Sequence, residues 1–144
     1  MRPPGLTWPL LGLVGVLAAR RWLDAVEVRG RSMAPALLPG DRLLVVRAAP
    51  RTGDVVLAPD PRAPSRELIK RVAGVDRIGV HLRGDNPATS TDARAFGAVP
   101  LTEVRWRAVL RYWPVDRFGP IPRAAHDEGG EAACAFPDVL VAGD

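Results

Sequence analysis

Residues 53–75 read "GDVVLAPDPRAPSRELIKRVAGV", and the reading of this stretch decides the fold. Two apolar runs, "DVVLA" and "ELIKRVAGV", flank the break "PDPRAPS". Proline, aspartate and serine mark the break as a turn, and it is far too short for the crossover helix that parallel strands need. The stretch therefore predicts two antiparallel strands. Outward from it the same pattern recurs, with "VEVRG", "DRLLVV", "IGVHLRG" and "VRWRAVLRYW" as further candidate strands. Their separators "APALLPGD", "APRTGD" and "GDNPATSTDARAFGAVP" are rich in Pro, Gly and Asp, so the expectation is a mainly β chain of antiparallel sheets. "MAPALL" after Ser32 reads as a short helix, kept short by Pro35 and Pro39.

The chain has 144 residues, 47% hydrophobic and 25% charged, which suits one globular domain with a real core. Its charge is graded. Residues 1–115 carry eighteen basic and ten acidic groups, whereas residues 116–144 carry two and six. The arginines are scattered, with no basic helix or aromatic-basic motif, so nucleic acid is not an expected partner. Cys134 is the only cysteine, which excludes an internal disulfide and a cysteine metal cluster. His81 and His126 lack ligand-like neighbours, and neither a metal nor a cofactor is expected.

Residues 3–19, "PPGLTWPLLGLVGVLAA", carry no charge and are closed by Arg20 and Arg21. As a helix they would span about 25 Å, with Trp8 and Trp22 suited to the two interfaces. Residues 1–24 are thus expected to be a single-pass membrane anchor in contact with plasma-membrane lipid; the alternatives are a core helix or a hydrophobic leader. The arginines after the segment tilt the main domain towards the cytoplasmic side. Residues 25–114 are the expected catalytic domain. Residues 115–144 read as a Pro/Gly-rich acidic tail of poor order.

Chemistry points to Ser32 and Lys70. Ser32 stands in "VRGRSMAPALLPGD", at a strand end followed by a turn, where a hydroxyl can project into a cleft. A serine hydroxyl is a weak nucleophile until a neighbouring base takes its proton, and no histidine is placed to do so. Lys70 is the only lysine, against nineteen arginines. Arginine cannot give up its proton in a protein, whereas a desolvated lysine can. With strand period two, Lys70 shares a face with Leu68 and Val72, while Ile69 and Arg71 point the other way. The plainer reading is a strand lysine that snorkels to water over its own stem. In residues 82–100, Ser90 offers a hydroxyl that could orient a neutral amine, and Asp92 and Arg94 are spaced to pair. The plain alternative there is a long polar hairpin loop.

Four blocks in order, Gly-x-Ser-Met-x-Pro-x-Leu-x-x-Gly-Asp (Gly30 to Asp41), Gly-Asp-Val-Val (Gly53 to Val56), Lys-Arg-Val (Lys70 to Val72) and Gly-Asp-Asn…Ser-x-Asp-x-Arg-x-x-Gly (Gly84 to Gly97), resemble bacterial type I signal peptidase, the S26 group of serine–lysine proteases. The resemblance covers about residues 26–100. It implies bent antiparallel sheets with one N-terminal apolar helix, and a shallow apolar substrate groove. It implies Ser32 as nucleophile, Lys70 as general base and Ser90 as the hydroxyl that holds the lysine. Asp92 and Arg94 would stabilise the site, Asp85 would help fix the loop, and Gly30 and Ser32 would form the oxyanion region. The implied substrates are precursor proteins with small residues before the cut. Two departures stand out: Ala93 where family members often have a second serine, and Gly30 where some place a serine that helps the oxyanion. The implied activity is removal of leader peptides. An alternative is maturation of nickel-type superoxide dismutase, and a third reading is a self-cleaving regulatory domain.

Overall fold

The computed structural model describes residues 7–86, 88–89 and 97–123. Helix α1 (Thr7–Arg20) leads into seven strands: β1 (Leu23–Glu27), β2 (Arg42–Arg47), β3 (Val55–Asp60), β4 (Ala63–Val75), β5 (Val80–Arg83), β6 (Trp106–Trp113) and β7 (Gly119–Pro120). They form one sheet in the order β1-β2-β6-β3-β4-β5, with β7 on β6, and every pairing is antiparallel. The fold is therefore mainly antiparallel β with one N-terminal helix, as expected. Five of the six candidate runs are largely strand, whereas "VEVRG" overlaps β1 only at Val26 and Glu27. The opening stretch is the β3–β4 hairpin, with Leu57 opposite Ile69 and Val56 opposite Lys70. The expected helix after Ser32 is instead a series of turns, in which the Leu37 N–H donates to the Met33 carbonyl at 2.9 Å.

β3 is buried along almost its whole length, which explains its unbroken apolar run. Its alternate residues feed two cores. Val55 and Leu57 join Val28, Met33, Leu37, Leu43, Val45 and Ala108 on one face. Val56 and Ala58 join Val72, Val80, Leu82, Val99 and Val104 on the other. Register shifts interrupt β2 against β6 and β4 against β5, and such bulges bend a strand and sharpen its twist.

Two Gly-Asp pairs make the turns into β2 and β3 in the same way. Gly40 and Gly53 have φ of 91° and 89°, a region that favours glycine. The aspartate that follows folds back on its own turn: Asp41 accepts from the Leu38 N–H and Asp54 from the Arg51 N–H, each at 3.0 Å. Both carboxylates are buried and met by arginine. Arg117 and Arg111 reach Asp41 at 2.9 and 3.4 Å, and Arg107 and Arg123 reach Asp54 at 3.5 and 3.8 Å. The planar guanidinium suits these partly buried pairs better than a lysine ammonium would. Much of the arginine content is thus structural.

The structure bears on both ends of the expected domain plan. Among the described residues no helix is long and apolar enough to cross a membrane. α1 has 14 residues, or about 21 Å, against a hydrocarbon core of about 30 Å. Its end is fixed by the turn at Arg21 and Trp22, where backbone N–H groups bond back to Ala18 and Ala19 before β1 begins. The boundary expected at residue 114 falls inside the sheet. A 3-10 turn (Val115–Arg117) and β7 return the chain to β6, and Ile121 packs on the first core. The rest of the expected tail lies outside the described residues.

Candidate active site

The segment bearing Ser32 is held at both ends. Before it, the Val28 N–H donates to the Asp41 carbonyl and the Gly40 N–H to the Val28 carbonyl, both at 2.8 Å. After it, Met33 is 1% exposed in the first core and Leu37 is fully buried. Between these anchors Gly30 and Arg31 are exposed and Ser32 is half-buried. The chain has no freedom to drop Ser32 into the core, because its neighbour Met33 already fills that place.

Ser32 and Gly30 line an open cleft of about 820 Å³. One wall is residues 26–30 and the other is residues 64–69, with Met33 and Leu57 between them. Both walls are backbone in extended or near-extended form: the first runs out of edge strand β1, and the second is the part of β4 that precedes its pairing with β5. A cleft with exposed strand edges fits an extended peptide.

Lys70 occupies the next position on β4 after this wall. It is 3% exposed and sits opposite Val56, on the face that carries Val72 and the second core. The period-two reading thus holds, and the amine is held in the protein rather than extended to water. The plain reading of a snorkelling surface lysine does not fit that burial.

The loop after β5 ties the serine segment to the lysine strand. The Asn86 N–H donates to the Ser32 carbonyl at 2.9 Å. Its side-chain amide donates to the Arg31 carbonyl at 3.2 Å, and the Thr89 hydroxyl does so at 3.3 Å. One residue earlier, Asp85 accepts from Arg71 through both oxygens, from Nε at 2.8 Å and Nη2 at 2.6 Å. Arg71 Nη1 also donates to the carbonyls of Gly53 and Pro122, both at 2.9 Å. The Arg71 side chain is 9% exposed and that of Asp85 20%, so the pair is shielded from water and geometrically defined.

Of the residues expected at the site, Gly30 and Ser32 line the cleft, Lys70 is buried just beyond its wall, and Asp85 is fastened beside it. Ser90, Asp92 and Arg94 lie outside the described residues, as does Ala93. Arg71 and Asn86 were not foreseen. An arginine in a buried stretch of strand implies a carboxylate partner, and that signal was present in "LIKRV". Which carboxylate it meets depended on how β5 returns.

Comparison with known proteins agrees with this architecture. The family model "Signal peptidase, peptidase S26" matches residues 5–81. The "Mitochondrial ATP-independent inner membrane protease subunit 1a" of Arabidopsis thaliana is 35% identical over 127 residues, covering 69% of this chain and 76% of that protein. The "Mitochondrial inner membrane protease subunit 1" of Homo sapiens is 30% identical, covering 65% and 72%. The "Mitochondrial inner membrane protease subunit 2" of Danio rerio is 30% identical, covering 73% and 72%. The chain belongs to the signal peptidase family, peptidase S26, and is a protease of that family.

Proposed function

We propose that the protein is a serine endopeptidase with a Ser32–Lys70 dyad, which removes N-terminal leader peptides from precursor proteins at a membrane. The observation that carries this reading is the pairing of an accessible Ser32 in a peptide-sized cleft with the chain's only lysine, buried on the strand that forms the cleft wall.

Each group has a defined task. Burial strips hydration from an amine and favours its uncharged form, which a general base requires. Lys70 Nζ takes the proton of Ser32 Oγ as that oxygen attacks the scissile carbonyl carbon. The backbone N–H of Ser32 stabilises the oxyanion, and Gly30 leaves room for the substrate's approach. The Lys70 ammonium then gives its proton to the departing amine, so the peptide bond breaks and an acyl ester remains on Ser32. Lys70 deprotonates a water in the same way to hydrolyse that ester. The family resemblance assigns Ser90 to hold the lysine amine, and Asp92 and Arg94 to brace the loop. The apolar floor formed by Met33 and Leu57 favours small, uncharged side chains before the cut.

Membrane attachment falls to α1. Trp8, Leu10, Leu11, Leu13, Val14, Val16 and Leu17 are each more than half exposed, so the helix is apolar all round and covered by nothing in the described chain. Such a surface is at home against lipid rather than water. The relatives are inner membrane proteases by name, and this supports a membrane location without the helix having to span. Residues 1–24 are the attachment segment, and the catalytic unit begins at residue 25.

The test is cleavage, in detergent, of exported preproteins and a nickel-type superoxide dismutase proprotein by wild type, Ser32→Ala and Lys70→Arg. Cleavage by the wild type alone is expected, and the substrate that is cut identifies the natural class. Full activity of Lys70→Arg would overturn the dyad, since arginine cannot accept the proton.

A further inference from the structure

The cleft lies between two strand edges, and their hydrogen-bond parity decides which way an occupant's side chains turn. At β1 the Arg47 N–H donates to the Trp22 carbonyl at 2.9 Å and the Val28 N–H to the Asp41 carbonyl at 2.8 Å. The register between these bonds is unbroken, so the even-numbered residues of β1 turn their backbone groups to β2. Glu27 and Arg29 therefore present theirs to the cleft. At β4 the Val72 N–H donates to the Asp54 carbonyl, and the same alternation leaves Glu67 and Ile69 facing the cleft. Val26, Val28 and Ile69 turn their side chains to the first core. By strand period, Glu27, Arg29, Arg66 and Leu68 stand on the outer face.

An extended substrate laid between these edges obeys the same period. The residue before the cut turns inward over Met33 and Leu57, as does the third, while the second and fourth turn outward. Both walls rise in residue number towards the dyad, so Arg29, one residue before Gly30, flanks the second position and Arg66 the fourth. We propose that this outer face selects substrates with acidic side chains two and four residues before the cut, and that Arg29 and Arg66 are the specificity-determining residues. This rests on the serine–lysine reading above and adds a substrate class to it.

Three observations carry it. First, Arg29 and Arg66 both line the cleft and both are exposed. Second, their charges are uncommitted. Among the described residues neither meets a carboxylate, whereas Arg71, Arg107, Arg111 and Arg117 each do. Third, the acidic groups of the cleft do not cancel them. Glu27 is shared with Arg42 at 3.9 Å, and Glu67 lies on the face of Ile69, turned inward. Glu67 there disfavours a carboxylate at the third position, which confines the acidic preference to the outward ones.

The experiment uses the full chain in detergent and a leader-bearing precursor that the wild type cleaves. The precursor is remade with alanine one and three residues before the cut and Asp, Asn or Lys at the second position. A matching set varies the fourth, and the products are weighed to place each cut. The kcat/KM values are compared for wild type, Arg29→Gln, Arg29→Glu, Arg66→Gln and Arg77→Gln. Arg77 is exposed in the turn between β4 and β5, so its substitution changes net charge away from the cleft. The wild type should prefer Asp to Asn by about two- to fivefold, the scale of one exposed ion pair, and should cleave the Lys precursor least. The difference should lie mainly in KM, because the contact is already made in the bound ground state. In 1 M salt, where the screening length is about 3 Å, the preference should at least halve. Arg29→Gln should abolish the preference at the second position and keep that at the fourth, and Arg66→Gln should do the converse. Arg29→Glu should favour Lys over Asp, and Arg77→Gln should keep both wild-type preferences.

Equal cleavage of the Asp, Asn and Lys precursors by the wild type would overturn the proposal. So would a preference that survives Arg29→Gln and Arg66→Gln, or one that vanishes in Arg77→Gln. Each comparison is made between precursors within one variant, so a general loss of rate leaves the readout unchanged. Ser32→Ala is run alongside to separate two failures. If Ser32→Ala still cleaves, the serine–lysine reading falls and this proposal with it. If Ser32→Ala is silent while the wild type shows no charge preference, only the proposal falls.

Discussion

Substituting Met33 by alanine separates stability from catalysis at the residue next to the nucleophile. Met33 is 1% exposed and belongs to the first core with Val28, Leu37, Leu43 and Val55. Truncation removes three heavy atoms from a packed site. Deletions of this kind cost about 2–5 kcal/mol, the spread reflecting how far the surroundings collapse. The Leu37 N–H bond to the Met33 carbonyl and the Val28–Gly40–Asp41 bonds pin the backbone on both sides. Collapse is therefore restricted, and the middle of that range, about 3–4 kcal/mol, is expected. For a domain of this size each kcal/mol lowers the melting temperature by roughly 3–4 °C, so a drop of about 10–13 °C should be seen calorimetrically.

The comparison that matters is Leu43→Ala. Leu43 is fully buried in the same core but lies on β2, away from the cleft. The two variants should lose similar stability. Only Met33→Ala should slow cleavage when both are measured well below their melting temperatures, because only Met33 fixes the segment bearing Ser32. A stability loss under about 1 kcal/mol would refute the packing argument. Equal cleavage rates for the two variants would refute the idea that Met33 sets the position of the nucleophile.

Other outcomes follow from the same geometry. Asp41→Ala should cost about 3 kcal/mol, the low end for breaking a buried ion pair because Arg117 is 26% exposed, read from the midpoint of denaturant unfolding. Gly53→Ala meets no atom in space but must hold φ near 89°, so about 1–2 kcal/mol of strain is expected in the same assay. Asp76 is held below the ordinary carboxylate value of 3.8, first by the hydrogen bond from His81 at 2.7 Å and then by the N–H groups of Gly79 and Ile78. A depressed carboxylate stabilises the fold at pH above its unfolded value, and this contribution is lost as pH falls through the folded value. His81→Ala should move the Asp76 titration up towards 3.8, observable by NMR, and no movement would show that His81 is not its partner. Replacing Leu10, Leu13 and Leu17 of α1 by glutamine should abolish co-flotation with phospholipid vesicles without altering cleavage of a soluble peptide.

The sequence by itself determined the local grammar of the fold. Strand period, turn residues and short separators are properties of neighbouring positions, and they sufficed to locate the strands from β2 to β6 and the face that Lys70 occupies, while β1 lies three residues earlier than its candidate run. The two Gly-Asp turns were legible for the same reason, since their hydrogen bonds close within three residues. Ser32 and Lys70 could be singled out because their chemistry is written in residue type: one lysine among many arginines, and a serine between a strand and a turn.

Tertiary structure alone decided the partners. β6 enters between β2 and β3, and nothing in "VRWRAVLRYW" specifies which two edges it will join, because backbone hydrogen bonds are the same for any strand. Arg71 could have met any of several carboxylates, and only the return of β5 selected Asp85. Likewise, the composition beyond Pro114 suggested a tail, yet the Arg111 and Arg117 contacts to Asp41 and the pairing of β7 bring its first residues into the sheet. Among the described residues α1 ends at Arg20, one residue past the apolar run, because the chain turns at Arg21 and Trp22 to begin β1. Local pattern fixes which backbone a segment adopts. The contacts of a buried charge or a free strand edge depend on what the rest of the chain brings to it.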